Sequence, residues 1–156
     1  MYNILLILSR NIYFYKKVGL SDTSENRLYL MFTHFSMILI IFKKKGNKFS
    51  QDKYDEFFHS IEYNLRESGM GDVSVNKKMK ELNKIFYDIL LKLESKNSPS
   101  NSLKLNKALI LKYFDDIKDE KNSNYHYLED YFASFFDFCY ELSSNNMIEE
   151  VKNFKY

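Results

Sequence analysis

The chain has 156 residues, of which 45% are hydrophobic and 17% aromatic, and its formal net charge is +2. This apolar content excludes a disordered chain, and four glycines with one proline are too few for the tight turns of a β-sandwich or barrel. The single cysteine, Cys139, excludes an internal disulfide. Lysine accounts for nearly all of the 23 basic residues, which argues against sequence-specific nucleic-acid binding, because such proteins read bases and phosphates with arginine forks.

Apolar side chains recur at helical spacing through most of the chain. The stretch 23–44 is apolar on nearly every face, which is typical of the central helix of a bundle. Its most hydrophobic part, 28–42, is shorter than the roughly 20 residues that a membrane span needs, and we interpret it as buried core. The pattern predicts helices, in chain order, over about 3–17, 23–44, 50–67, 73–95, 103–117 and 125–143, with a short helix closing the chain.

Residues 95–102, which contain the only proline, form the one predicted linker. The helix over 125–143 is unusual, because residues 125–142 include eight aromatic side chains and no lysine or arginine. We expect its apolar face to pack into the core, with a wall of an apolar groove as the alternative. The sequence therefore predicts an all-α fold, a single domain over 1–156 with six to seven helices around the central apolar helix. We predict no signal peptide and no transmembrane helix.

The sequence contains little recognisable catalytic chemistry. Glu56 and His59 form an E-x-x-H pair, which is half of the di-iron signature of helical bundles. A metal-dependent helical enzyme thus remains an alternative, although the second pair is absent. His34 lies in the most apolar helix, where we expect a core histidine that donates to a carbonyl. Cys139 falls in an aromatic stripe and is expected to pack rather than to react. We predict no catalytic residue, no cofactor and no metal.

The stretch NLRESGMGDVSVNKKMKE, residues 64–81, joins two predicted helices through two glycines. Gly69 is expected to adopt the left-handed conformation that ends a helix, and Gly71 to let the backbone turn again. Asp72 or Ser74 can then cap the next helix. A turn does not require the charged residues that surround it, which are Arg66, Glu67, Lys77 and Lys78. Two interpretations stay open for them: a polar docking surface, or a solvated corner with an intramolecular ion pair.

This stretch resembles the signature of the ubiquinol–cytochrome c chaperone family. The resemblance extends to an upstream segment with Asp22, Thr23 and Arg27, where a capping and salt-bridge role is expected, and to the helix that contains His34. Further similar positions are Phe49, Gln51, Phe57, Phe58, Arg66, Phe86 and Tyr87. The sequence LNKAL at 105–109 is a weaker similarity. In all, the resemblance covers about residues 10–110.

The resemblance implies a non-catalytic assembly factor of ubiquinol–cytochrome c reductase, the respiratory complex III. Such a chaperone is expected to bind newly made cytochrome b or other nascent complex III subunits, together with a small helical partner protein. It would act near the ribosome, peripheral to the inner (cytoplasmic) membrane, on the cytoplasmic or matrix-equivalent side. A generic helical interaction module with an unrelated client is the alternative.

The candidate partner-binding residues are Arg66, Glu67, Gly69, Gly71, Asp72, Lys77 and Lys78. The family-motif residues expected to be structural are Asp22, Thr23, Arg27 and His34. Lysines 43–45 and Lys48 are candidates for contact with anionic lipid or ribosomal RNA, although a solvated helix end that complements the helix dipole is the default interpretation.

Overall fold

The computed structural model describes residues 1–94 and 105–156. Every regular element within those ranges is helical, which confirms the predicted all-α fold. The linker predicted at 95–102 and the start of the helix predicted over 103–117 lie outside the described residues. In chain order the elements are α1 (Tyr2–Ser9), α2 (Ile12–Lys16), α3 (Ser24–Lys44), α4 (Gln51–Glu67), α5 (Asp72–Glu94), α6 (Lys107–Tyr113), α7 (Ser123–Glu141), α8 (Met147–Glu150) and a 3₁₀ turn at Val151–Asn153.

The single helix predicted over 3–17 is divided into α1 and α2. Asn11 begins α2, because its side-chain oxygen accepts a hydrogen bond from the Tyr13 N–H at 3.0 Å. Asparagine is favoured at this position, since its short side chain satisfies an N–H that has no partner inside the helix. After the break, α2 packs on α7, where the ring centroids of Phe14 and Tyr131 lie 4.4 Å apart.

Helix α3 is the centre of the bundle, as the sequence predicted. It packs against α1, α5 and α7, and α4 in turn packs against α1 and α5. Side chains on all faces of α3 are buried, including Leu30, Phe32, Phe35, Ile38 and Ile41. The apolar stretch 28–42 is therefore core. Among the helices within the described ranges, none combines the length and the hydropathy that a bilayer span requires.

Helix α7 supplies the aromatic side of the core. Its buried side chains are Tyr125, Leu128, Tyr131, Phe132, Phe135, Phe136 and Cys139. Its opposite face is exposed, as predicted, and carries Asp130, Ser134, Asp137 and Glu141. The buried aromatic side chains of α7 are therefore core, as expected, and α7 lines neither of the two grooves that lie beside α1 in the described part of the chain. Burial raises the pKa of the Cys139 thiol, which agrees with a packing role.

His34 is a core histidine, as expected, and forms a buried polar pair with Tyr131. The imidazole is 0% exposed, and its Nδ1 lies 2.7 Å from the Leu30 carbonyl oxygen. Because a carbonyl can only accept, Nδ1 carries the hydrogen, and Nε2 accepts from the Tyr131 hydroxyl at 3.1 Å. Burial lowers the pKa of His34 to about 4, since the charged ring would lose its hydration inside the core.

Asp88 joins α6 to α5. Its carboxylate accepts a hydrogen bond from Lys112 at 2.8 Å and also binds Lys92 and the Tyr113 hydroxyl. Burial opposes ionisation, but these three donors outweigh it and hold the pKa of Asp88 well below its ordinary value. The contact fixes α6 on α5 at the point where the described chain resumes.

Candidate functional site

The corner between α4 and α5 is a helix stop built around Gly69. The Met70 N–H donates to the Leu65 carbonyl at 3.3 Å, and the Gly69 N–H donates to the Arg66 carbonyl at 2.9 Å. This pair of bonds is the Schellman arrangement, which requires a left-handed residue at the position of Gly69. Its φ is +88°, so the expectation for Gly69 is confirmed.

Gly71 does not have the role that the sequence predicted. Within the described residues the glycines with positive φ are Gly19, Gly46 and Gly69, so Gly71 makes no left-handed turn. Its carbonyl accepts from the Val75 N–H at 2.9 Å, which makes it the residue that caps the start of α5. A side chain on Gly71 would meet no atom within 4 Å. The turn needs a left-handed residue at Gly69 but not at Gly71, because the Schellman bonds at Gly69 already reverse the direction of the chain.

Serine substitutions at Gly69 and Gly71 distinguish the roles of these two glycines in the turn. Gly69→Ser is expected to lower the free energy of unfolding by about 1–2 kcal/mol, because a side chain at positive φ collides with its own carbonyl. Gly71→Ser is expected to change it by less than about 0.5 kcal/mol, since serine is a favourable helix cap. Urea denaturation of both variants checks this. Equal destabilisation by the two substitutions would contradict the assignment of the turn to Gly69.

Arg66 connects the two helices across the corner. Its guanidinium binds Glu62, one turn earlier on α4, at 2.8 Å and also binds Asp72, the first residue of α5. The Arg66 and Asp72 side chains are 40% and 82% exposed, so the pairs lie at the surface and contribute little stability. Asp72 thus serves as an ion-pair partner of Arg66. The intramolecular ion pair of the solvated-corner interpretation is therefore present.

The remaining candidate residues lie on the same exposed corner. Glu67 and Lys77 are exposed, and Lys78 pairs with Glu81 at 3.1 Å. Sequence reasoning missed Val73, whose side chain is 84% exposed beside them. The exposure of Val73 could have been predicted from the sequence, because the buried stripe of α5 begins at Val75 and Val73 therefore lies on another face of the helix. The corner therefore combines charged groups with one apolar side chain.

The upstream motif forms the start of α3. Thr23 caps the helix by accepting from the Asn26 N–H at 3.1 Å, and Arg27 binds Asp22 at 2.7 Å, as expected. Asp116, which the sequence pattern did not identify, lies much later in the chain and forms hydrogen bonds with this segment. Its carboxylate accepts from the Ser21 N–H at 2.9 Å, and this bond and others lower the pKa of Asp116. Only the fold brings residues 95 positions apart into contact.

Two surface grooves adjoin each other beside α1. The α1–α3–α4 groove, of about 270 Å³, is lined by residues of both family-motif segments. Ser24, Arg27 and Leu28 come from the first segment, and Asn64, Leu65 and Ser68 from the second. The α1–α4 groove is more open, with a volume of about 690 Å³. The structure therefore unites two sequence blocks that lie far apart along the chain.

Glu56 and His59 both line the α1–α4 groove. Within residues 1–94 and 105–156 no group of three or more histidine, cysteine, aspartate or glutamate side chains is arranged to hold a metal ion. The pair consequently lies in a surface groove without further ligands in the described part of the chain.

The lysines at the end of α3 partly contact α7. The Lys45 ammonium donates to the Leu142 carbonyl at 2.5 Å and lies 5.2 Å from the centre of the Tyr140 ring. Lys44 lies 5.5 Å from the centre of the Phe136 ring. These contacts cover the carboxyl end of α3 with positive charge, which complements the helix dipole.

An all-helical core with surface grooves and an exposed polar corner is characteristic of helical proteins that bind other polypeptides. The chain belongs to the ubiquinol-cytochrome C chaperone family, whose sequence model matches residues 16–151. The match reaches beyond residue 110, where the visible resemblance ended, and takes in α7 and α8. Membership of this family indicates a chaperone in the assembly of ubiquinol–cytochrome c reductase.

The fold is shared with a solved protein. The chain is similar to the crystal structure of the Cbp3 homolog from Brucella abortus, with a TM-score of 0.64 and 22% sequence identity. The similarity covers 99% of this chain and 85% of that one. No curated protein sequence is significantly similar to this chain.

Proposed function

We propose that this protein assists the assembly of respiratory complex III by holding cytochrome b, or a segment of it, during synthesis or maturation. Family membership supports the chaperone class and the complex. The observation that carries the proposal is the meeting of the two family-motif segments along the α1–α3–α4 groove, next to the α4–α5 corner. A groove with apolar walls and a polar rim suits an extended or helical peptide.

Within this proposal the corner supplies the polar rim. Gly69 fixes its shape, whereas Arg66, Glu67, Asp72 and Lys77 present exposed charges to the client. Gly71 permits close approach of a client backbone, because a Cβ atom at this position would have no atom beyond its own chain neighbours within 4 Å. Lys78, which is paired with Glu81, borders the same surface. Binding of this kind is reversible and needs no cofactor.

The cellular location of the proposed activity follows from the identity of the proposed client. Cytochrome b enters the inner (cytoplasmic) membrane as it is made, so its chaperone works at that membrane, peripherally and on the cytoplasmic or matrix-equivalent side. A ribosome and a small helical partner protein are further proposed contacts. Lys48, which is exposed beyond the end of α3, and the neighbouring lysines 43–45 are the proposed contact with anionic lipid or ribosomal RNA.

Affinity purification of the tagged protein from gently solubilised native cells, with crosslinking and mass spectrometry, tests the proposal. We expect enrichment of cytochrome b, with crosslinks that map to residues 64–81. Recovery without any respiratory subunit, from cells that contain complex III, would favour the alternative of a helical interaction module with an unrelated client.

Replacement of Arg66 separates binding from folding. Arg66→Ala is expected to leave the free energy of unfolding within about 1 kcal/mol of the parent, because its ion pairs are exposed. The same change should reduce the yield of co-purified cytochrome b several-fold. Lys121→Ala, at an exposed position between α6 and α7, is the matched control and should retain the full yield. An unfolded Arg66→Ala protein would instead make the corner a structural element.

A further inference from the structure

We propose that the α1–α4 and α1–α3–α4 grooves together bind one amphipathic helix of a partner polypeptide. The basic end of that helix would lie at the first turns of α4, and its acidic end at Arg10. The two grooves form one continuous surface, because Tyr2, Leu6 and Asn64 line both of them. We call this surface the joined groove. The inference rests on the proposed function only in taking a polypeptide as the occupant, and it adds the chemistry and the direction of that occupant.

The length of the joined groove matches a helix of four to five turns. Its α4 wall runs from Asp52 to Ser68, and the lining residues of α4 recur at helical spacing along one face. At a rise of 1.5 Å per residue this wall is about 24 Å long, the length of a helix of about 16 residues. A single helix can therefore contact the whole surface.

The floor of the joined groove is apolar. Tyr2 and Leu6 are half-buried at its centre, and further apolar lining comes from Leu28, Met31, Ile61 and Leu65. Two large apolar side chains stand exposed beside this floor: Tyr63 on α4, at 62%, and Ile7 on α1, at 69%. Ile7 lies one turn after Asn3, which lines the groove. Isolated exposed residues of this kind are common, but a pair that flanks an apolar floor suits the leucine stripe of an amphipathic helix.

The charges of the joined groove differ between its two ends. Asp52, Asp55 and Glu56 line the end formed by the first turns of α4, and none of them forms an ion pair within the described ranges. Arg10 lines the other end, is exposed, and has no ion pair in the described part of the chain. Arg27, which also lines that end, is already bound by Asp22 at 2.7 Å.

This separation of charge favours a helix with lysines or arginines at one end and acidic residues at the other. Opposite charges at two ends fix the direction of a bound helix and penalise the reversed one, because like charges then face each other. The carboxylates also make an anionic membrane surface a poor occupant, since they repel its headgroups.

Binding of designed peptides to the purified full chain tests the inference. The probes are labelled peptides of about 16 residues with a leucine stripe, whose lysines and glutamates are segregated at opposite ends, in either order. A third peptide has the same composition with the charges interleaved. Fluorescence anisotropy at low and physiological salt gives each Kd. We expect a segregated peptide to bind roughly ten-fold more tightly than the interleaved one, because either charge order can place its basic end at the carboxylates by reversing its chain direction.

Two sets of charge-neutralising substitutions distinguish the groove from general electrostatics. Asp52→Asn, Asp55→Asn and Glu56→Gln together should weaken binding of the segregated peptide roughly ten-fold and remove the preference for it over the interleaved peptide. The matched control neutralises Asp130, Asp137 and Glu141 on the exposed face of α7 by the same chemistry, and should leave the Kd unchanged. All six side chains are at the surface, so both variants are expected to fold.

The inference is overturned if no segregated peptide is preferred, if both triple variants weaken binding equally, or if crosslinks of the bound peptide fall outside α1, α4 and the first turns of α3. Binding to a second copy of the chain in place of the peptide would also overturn it, and would appear as a dimer by sedimentation. The proposed function is tested by a separate experiment, the affinity purification from cells. Absence of cytochrome b from that purification, together with selective binding of a segregated peptide, would leave the groove assignment standing and the client wrong.

Discussion

Phe86→Ala is expected to lower the free energy of unfolding by about 3–5 kcal/mol, a larger loss than a substitution at either corner glycine should cause. The Phe86 ring is 0% exposed in the middle of α5. Its centroid lies 5.4 Å from that of Phe32, 5.5 Å from that of Phe35 and 5.2 Å from that of Phe58. Truncation leaves a cavity where α3, α4 and α5 meet, and the large rings around it cannot fill that cavity without leaving their own positions.

The neighbouring residue provides the control. Tyr87 is 52% exposed, and its hydroxyl accepts a hydrogen bond from the Tyr54 hydroxyl at 3.2 Å. Tyr87→Ala is expected to cost less than about 1.5 kcal/mol, because water replaces an exposed hydrogen bond. Urea denaturation followed by circular dichroism measures both changes. If Tyr87→Ala proved the more damaging of the two, the face of α5 that packs on α3 would be assigned wrongly.

Lowering the pH from 7 to 4 is expected to remove about 3 kcal/mol of stability through His34. Burial lowers the pKa of His34 from 6.5 to about 4, and one unit of pKa corresponds to about 1.4 kcal/mol. Between these two values the unfolded chain binds a proton at His34 and the folded chain does not. Stability therefore falls as the pH falls through this window, and the loss is complete below about pH 4, where both states are protonated.

The effect of His34 can be distinguished from that of other titrating groups by two variants and by the low pKa values of two carboxylates. His59 and His126 are exposed, so the variant with both changed to glutamine should keep the whole effect. His34→Gln should lose it, whatever its stability at pH 7. The carboxylates of Asp88 and Asp116 have pKa values below their ordinary 3.8, so their contribution is lost only at lower pH. A flat stability between pH 6.5 and 4.5 in the double histidine variant would show that His34 is not held neutral by the core.

Under the proposed function, the family motif at the corner serves two purposes that a sequence pattern cannot separate. Gly69 is required by the backbone, because the Schellman bonds need its positive φ. Arg66 and Asp72 form an ion pair between the two helices, and both side chains remain exposed. A substitution at the corner can thus affect stability, binding or both, and the Gly69, Gly71 and Arg66 variants distinguish these effects.

Features that depend on residues close together in the chain could be predicted from the amino-acid sequence. Periodicity identified α3 as a helix buried on all faces, and it assigned the buried and acidic faces of α7. Local chemistry predicted the cap at Thr23 and the turn at Gly69. It failed at Gly71, because two nearby glycines look alike in a sequence whereas the hydrogen bonds of the turn need only one of them. It also missed the break at Asn11, where an apolar pattern continues across a residue that prefers to begin a helix.

The surfaces that contact each other could not be predicted from the sequence, because they depend on how the helices pack. The bond from Ser21 to Asp116, the pairing of His34 with Tyr131 and the joining of the two family-motif segments along one groove all link residues far apart in the chain. Periodicity shows which face of a helix is buried but does not identify the helix that covers it. That choice depends on how bulky side chains such as Phe86 fit among their neighbours at close-packed density, which is a property of the assembled core. The joined groove exists for the same reason, since α1 and α4 leave it between them only after both have packed onto the core.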